Sequence, residues 1–278
     1  MADERNDARQ AGQLRSDLPA RSNRWSILGL HVHAIDYVTA TRLVLEKARQ
    51  EYAASYICAA NVHMVMEAYD SPDYRRTVNG ADLVTADGMP LVWALRLLGE
   101  PGASRVYGPD LTERVLHAAA ANWVPVGFYG SSPEVMVRLV AEVRKRFSGI
   151  DIPFAFSPPF HKPTAEEDDE TVAAVNRSGA RILFVGLGCP KQERWMETQS
   201  GRIRPVMLGV GAAFDFLAGT KPQAPRWVMR LGMEWGFRLI TEPSRLWRRY
   251  LRHNPRFIAL LTVQLIRGRK NRFYRLPH

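Results

Sequence analysis

Cysteine is scarce in this 278-residue chain: Cys58 and Cys189 are the only two, too few for a disulfide framework, which suits a reducing compartment. No grouping of Cys and His has zinc-site spacing. Long apolar runs are missing as well. The richest window, Phe257–Ile266, is half the roughly 20 residues needed to span a bilayer and contains Thr262 and Gln264. The first 24 residues lack the apolar stretch of a signal peptide and read as a polar, disordered lead-in, which argues against export. Asp-x-Asp occurs nowhere, so no paired carboxylates present themselves for a divalent metal. After Gly186-Leu187-Gly188 no third glycine arrives, so the dinucleotide fingerprint fails and no NAD is expected.

Acid is absent from one end. Residues 243–278 hold ten Lys/Arg and no Asp or Glu, which accounts for the whole net charge of +10 and leaves 28 cations against 28 acids before them. The same 36 residues interleave Trp247, Tyr250, Phe257, Leu261 and Ile266 with the cations. That mixture fits a helix lying on an anionic leaflet better than a nucleic-acid arm, because the apolar residues recur at near-helical spacing.

What is present is alternation. β-Branched runs at 26–31, 55–59, 82–86, 104–107, 124–129, 152–156, 181–185 and 205–210 alternate with helical patterns near 36–51, 62–80 (broken at Ser71-Pro72), 89–98, 110–121, 132–147, 165–178 and 191–200. This is the pattern of a doubly wound, mostly parallel α/β sheet flanked by helices. Asp36 is expected to cap the first helix, and Ser131-x-x-Glu134 with Pro133 to form a capping box. After Gly219 the sequence turns Trp- and Arg-rich, with interruptions expected at Pro243 and Pro255. The chain thus divides into a lead-in (1–24), an α/β domain (25–219) and a basic helical appendage (220–278).

In open α/β sheets ligands bind beyond the carboxyl ends of the strands, so the residues just after each strand are the candidates for chemistry. Asp87 follows one strand and precedes Gly88; it is either a general base or a helix cap. Gly130-Ser131-Ser132 can cradle phosphate at a helix amino terminus or serve as a plain connection. Gln192 and Glu193 can meet a ribose or base edge, or cap their helix. Cys189 is expected to pack rather than react. Without a metal, a departing diphosphate needs cations, and Arg105, Arg238, Arg245 and Arg248 are available, each with an ordinary surface role as the alternative. Trp93, Trp195 and Trp227 read as core packing.

Together the stretches AANVHMVMEAYDSPDYRRTVNGADLVTADGMPLVWALRLLG, SRVYGPDL, GFYGSSPE, GLGCPKQERW, GVGAAFDFLAG and APRWVMRLGMEWGFRLITEPSRLWRRY resemble the WecG/TagA/CpsF family of bacterial glycosyltransferases, from about Ile27 to Tyr250. The resemblance implies an inverting, metal-independent transfer, needing no cofactor, from a UDP-sugar to a polyprenyl-diphosphate-linked saccharide at the inner membrane face, for a surface polysaccharide or wall polymer. It implies that Asp87 is the catalytic base, Asn61 a pocket residue beside it, Arg105 a cleft arginine and Gln192 a substrate-pocket glutamine. Arg238, Arg245 and Arg248 match appendage arginines that close over the diphosphate. The implied partners are the two substrates and an anionic membrane surface met by residues 243–278, with no nucleic acid and with homo-oligomerisation left open. Two positions depart from the family pattern: Ala59 stands where Thr is common, and Gln223 where Arg is. A rival reading keeps the fold as a membrane or nucleic-acid tether without transferase activity.

Overall fold

The computed structural model describes residues 24–51, 54–159, 161 and 163–268, and the side chains of Arg230 and Arg245 lie outside the described parts. Most of the expected lead-in and the last ten residues of the basic tail fall outside as well. Eight strands form one sheet in the order β1-β2-β4-β3-β8-β7-β5-β6. They are β1 (Arg24–Ile27), β2 (Leu30–His33), β3 (Tyr56–Ala60), β4 (Leu83–Ala86), β5 (Val126–Gly130), β6 (Phe154–Phe156), β7 (Ile182–Gly186) and β8 (Val206–Gly209). Only β1 runs antiparallel to its neighbour.

The central strands are buried on both faces, as parallel strands between helix layers must be, and their runs are correspondingly apolar throughout. One face is covered by α1 (Tyr37–Arg49), α5 (Gly108–Ala121), α6 (Pro133–Arg146) and α9 (Ala213–Leu217), packed around Phe128, Phe184 and Phe214. The other carries α2 (Val62–Asp70), α3 (Pro72–Asn79), α4 (Met89–Leu98), α7 (Ala165–Ser178) and α8 (Lys191–Gln199) around Met64, Leu91, Tyr129 and Met207. Three helices follow: α10 (Arg226–Arg230), α11 (Glu234–Thr241) and α12 (Pro243–Gly268).

The register decides which loops meet. Ala60 pairs with Ala86, which sets Asn61 beside Asp87; Val185 pairs with Gly209 and Gly130 with Gly186, which lines up the three glycine turns farther along the same edge. All five turns therefore open on one side of the sheet.

Several expectations need correction. The run at 26–31 is a hairpin rather than one strand, because Leu28 (φ 52°) and Gly29 (φ 89°) turn the chain between β1 and β2. Residues 104–107 form no strand: they lie past the end of β4, where the Val106 N–H donates to the Ala86 carbonyl at 2.9 Å. The cap of α6 is Ser132, not Ser131, which sits outside the helix at φ 61°. Asp36 does cap α1, accepting from the Thr39 N–H at 2.8 Å. Of the three tryptophans expected in the core, Trp195 stacks on Tyr129 with ring centroids 4.3 Å apart, but Trp93 and Trp227 are exposed.

Pro255 does not interrupt α12, which runs unbroken for 26 residues. An interior proline costs a helix about 3 kcal/mol. Here burial of Leu246, Phe257 and Leu261 opposes that cost, aided by Arg256 gripping Asp70 with two 2.6 Å bonds. Near the end, Gln264 accepts from the Leu28 N–H at 2.8 Å and donates to the Ser26 carbonyl at 2.7 Å, tying α12 to the hairpin.

Candidate active site

β4 ends at Ala86, and the next residue, Asp87, is held by its own N–H, which donates to the Ala60 carbonyl at 2.9 Å. Its carboxyl faces the amino terminus of α5, whose first residue, Gly108, donates its backbone N–H to the carboxylate. A Cβ on Gly108 would meet Asp87 Oδ2 at 3.7 Å and the Ala59 Cβ at 3.4 Å, both ordinary contact distances, so the helix start lies close against the carboxylate. Ala59, one of the two departures from the family pattern, thus borders the carboxylate.

Asp87 does not cap the following helix. Gly88 occupies the N-cap position of α4 and no side chain bonds there, so the carboxylate is left to the cleft. Burial pushes its pKa up to about 7; Arg105 pulls it down, Glu234 raises it, and Arg238 and the Gly108 amide pull it down again. The burial effect wins, and the group titrates near neutrality. A group with that property is suited to taking a proton at physiological pH.

Asn61 caps α2 by accepting from the Met64 N–H at 3.2 Å, and its Cβ is 3.6 Å from where a Cβ on Gly88 would stand. It therefore lies beside Asp87, as the sequence suggested. Arg105 reaches the same cluster from the segment after α4. Its Nη2 is 3.7 Å from Asp87 Oδ1, its Nε donates to the Asp87 backbone carbonyl, and its guanidinium lies 4.1 Å above the Tyr107 ring.

The C-terminal helices supply the remainder. Glu234, at the start of α11, accepts from Arg105 Nη2 at 2.5 Å, and both side chains are largely buried. One turn on, Arg238 is close enough to lower the pKa of Asp87, and its buried Nε has no hydrogen-bond partner among the described residues. Two carboxylates and two guanidiniums thus face one another across strand ends and α11. Sequence reasoning assigned no role to Glu234. An acid four residues before Arg238 in an otherwise basic, aromatic stretch was the available signal, because positions i and i+4 share a helix face.

Arg248 is exposed and stacks over Trp247 at 5.3 Å, while Arg245 contributes its backbone to α12. Gln192 is buried with its polar atoms engaged: Oε1 accepts from the Gly188 and Gly211 N–H groups at 3.2 and 3.1 Å, and Nε2 donates to Glu193 at 2.7 Å. It shapes the floor by joining the turns after β7 and β8. Glu193 is fully buried and accepts from the Tyr74 hydroxyl at 2.9 Å, which rules out the ribose-facing reading considered for it. Cys189 packs as expected, its thiol 3.2 Å from that hydroxyl and its pKa raised by burial.

Gly130-Ser131-Ser132 follows β5, four strand positions from β4, roughly 19 Å along the edge at about 4.8 Å per strand. The Ser131 N–H donates to the Gly186 carbonyl at 3.1 Å and the Ser132 hydroxyl caps α6. A Cβ on Gly130 would stand 2.6 Å from the Gly186 carbonyl carbon at φ 124°, so only glycine fits.

Comparison with known proteins identifies the family. The model of the family described as Glycosyl transferase WecG/TagA/CpsF matches residues 25–271. A protein of Bacillus spizizenii named N-acetylglucosaminyldiphosphoundecaprenol N-acetyl-beta-D-mannosaminyltransferase is 33% identical over 198 residues, 71% of this chain and 75% of its own length. The chain belongs to the WecG/TagA/CpsF family and is a glycosyltransferase.

Proposed function

We propose that the enzyme moves a sugar from a UDP-sugar to a polyprenyl-diphosphate-linked saccharide, with inversion and without a catalytic metal, at the inner face of the cell membrane during surface polysaccharide synthesis. The observation that carries this reading is the largely buried Asp87 carboxylate at a strand end, its pKa raised to about 7 and flanked by Arg105 and Arg238. The acceptor hydroxyl gives its proton to Asp87 as its oxygen attacks the anomeric carbon. The bond from that carbon to the UDP oxygen breaks on the opposite face, so an α-linked donor yields a β-linked product. Negative charge grows on the departing diphosphate, and the partly buried Arg105 and Arg238 are the cations assigned to meet it. The sequence contains no Asp-x-Asp for a metal-held diphosphate, which favours protein cations in that role.

Nucleotide binding is assigned to the α6 amino terminus at Gly130-Ser131-Ser132, with Gln192 fixing the floor between the two ends of the donor. The relative's name nominates N-acetylmannosamine as the sugar and N-acetylglucosaminyl-diphosphoundecaprenol as the acceptor. Hexoses and uronic acids are the other donors to compare. Membrane contact falls to residues 220–278, where Trp227, Leu231, Trp235, Ile240, Leu251 and Ile258 are all exposed beside arginines. No described helix is long and apolar enough to cross a bilayer, so this contact would be peripheral.

A panel of UDP-sugars offered with synthetic polyprenyl-diphosphate N-acetylglucosamine in EDTA tests the reading. UDP release with one donor, and a product of inverted anomeric configuration, is expected. A retained configuration, or turnover only after a divalent metal is restored, would contradict it.

A further inference from the structure

Away from the Asp87 cluster, three potential metal ligands from two helices converge at the seam between α2 and α12. His63 and Glu67 are one turn apart on α2, and His253 comes from α12. Their ligand atoms all lie within 4.8 Å of one another: His63 Nδ1 is 3.7 Å and His253 Nε2 3.8 Å from Glu67 Oε1. The two rings stand with centroids 5.1 Å apart. These separations are too long for hydrogen bonds, yet close to the spacing of donors that share one ion about 2.1 Å from each.

Among the described residues the buried Nδ1 atoms of both His63 and His253 have no hydrogen-bond partner, and the His253 side chain is only 7% exposed. An unpaired buried polar atom costs roughly 1–3 kcal/mol, and the His63 Nδ1 that faces Glu67 is such an atom, which a shared cation would serve. Burial lowers the pKa of both rings, that of His63 to about 3. The charges facing the cluster are mixed. Arg249 acts on both rings, and Arg252 and Asp70 act on His253, with Asp70 itself bound by Arg256. Glu67 supplies the local negative charge that a cation requires.

We propose that His63, Glu67 and His253 bind a divalent cation of the zinc type, with the fourth position taken by water, as a clasp between α12 and the catalytic sheet. Two imidazoles and one carboxylate are a donor set suited to that metal. The clasp is structural and distinct from the transfer chemistry. It ties α2, which Asn61 caps, to the helix that follows Glu234 and Arg238. Scanning the sequence for short Cys/His spacings misses it because the third ligand comes from a distant helix.

The test uses the metal-stripped, tag-free full chain and Zn²⁺ alone, read by titration calorimetry and by thermal melting with and without EDTA. One equivalent of Zn²⁺ per chain is expected to bind with micromolar or tighter affinity. At 100 times Kd it should raise the melting temperature by several degrees, because a ligand of the folded state stabilises it by mass action. His253→Gln and, separately, His63→Gln should bind at least tenfold more weakly and lose the rise, while melting in EDTA stays close to wild type. Should either variant fold poorly, Glu67→Gln provides the same comparison. Failure of the wild type to take up an equivalent, or an undiminished response in the variants, overturns the proposal and leaves the seam to a water molecule.

Discussion

Arg105 is shared between Asp87 and Glu234, with its Nη2 at 3.7 Å from one carboxylate and 2.5 Å from the other. Asp87 belongs to the strand β4 loop and Glu234 to helix α11, so this guanidinium is the electrostatic joint between sheet and C-terminal helices. The nearer carboxylate also adds to the upward pull on the pKa of Asp87.

Glu234→Gln should therefore shift the pH profile. Removing a charge that raises the pKa of Asp87, and freeing Arg105 to act on Asp87 alone, both lower that pKa from about 7. The acidic limb of kcat/KM against pH should move to lower pH by at least half a unit. A limb that stays in place, or moves upward, would show that Glu234 does not act on the base.

The shift at Asp87 is also a statement about stability. Its folded pKa of about 7 lies above the ordinary 3.8, so the folded chain holds a proton that the unfolded chain releases between those values. Stability from this site is greatest below pH 4 and declines as pH rises through 7. Asp87→Asn, which stays neutral, should melt on the order of a few degrees higher than wild type at pH 8, with the difference shrinking toward pH 4. Differential scanning calorimetry at the two pH values reads this directly; a variant that melts lower at pH 8 contradicts the burial argument.

Gln192→Ala should destabilise the fold. It leaves the partly buried Gly188 and Gly211 N–H groups without their side-chain acceptor, and an unpaired buried group costs about 1–3 kcal/mol. Urea unfolding should show a loss of roughly 2–5 kcal/mol, with weakened donor binding in the protein that remains folded. An unchanged midpoint would mean that the loops are held by other contacts.

The exposed apolar residues of the C-terminal helices make a prediction about membranes. Leu251 and Ile258 are 68% and 64% exposed, so replacing both by Ser removes apolar surface without opening the core. Flotation with vesicles rich in anionic lipid should show a several-fold smaller bound fraction for Leu251→Ser/Ile258→Ser. Equal flotation would place the contact elsewhere.

The alternation of β-branched runs and helical patterns made the parallel sheet readable, and the position of Asp87 and Asn61 after adjacent strands made half of the site readable. Resemblance, not spacing, distinguished Asp87 as a base from Asp87 as a cap, and the structure gives the cap position to Gly88. What the sequence concealed depends on distant pairing. Glu234 matters only because α11 brings it to Arg105, and the 104–107 segment resembles a strand because it is buried like one, although the sheet has ended. Pro255 misled because propensity yields to the packing of Phe257 and Leu261. Gln192 is polar and follows a strand, as a ligand contact would, but both ends of its amide are used within the fold.

The central claim is that Asp87 takes the proton of the acceptor hydroxyl. The measurement that tests it most directly is the pH dependence of kcat/KM for wild type and Asp87→Asn, in EDTA, with the accepted UDP-sugar and lipid-linked acceptor. Wild-type activity should rise through an apparent pKa near 7, and the variant should be slower by about 10²–10⁴-fold and lack that limb. A variant that keeps wild-type turnover, or the same titration near 7, would contradict the account.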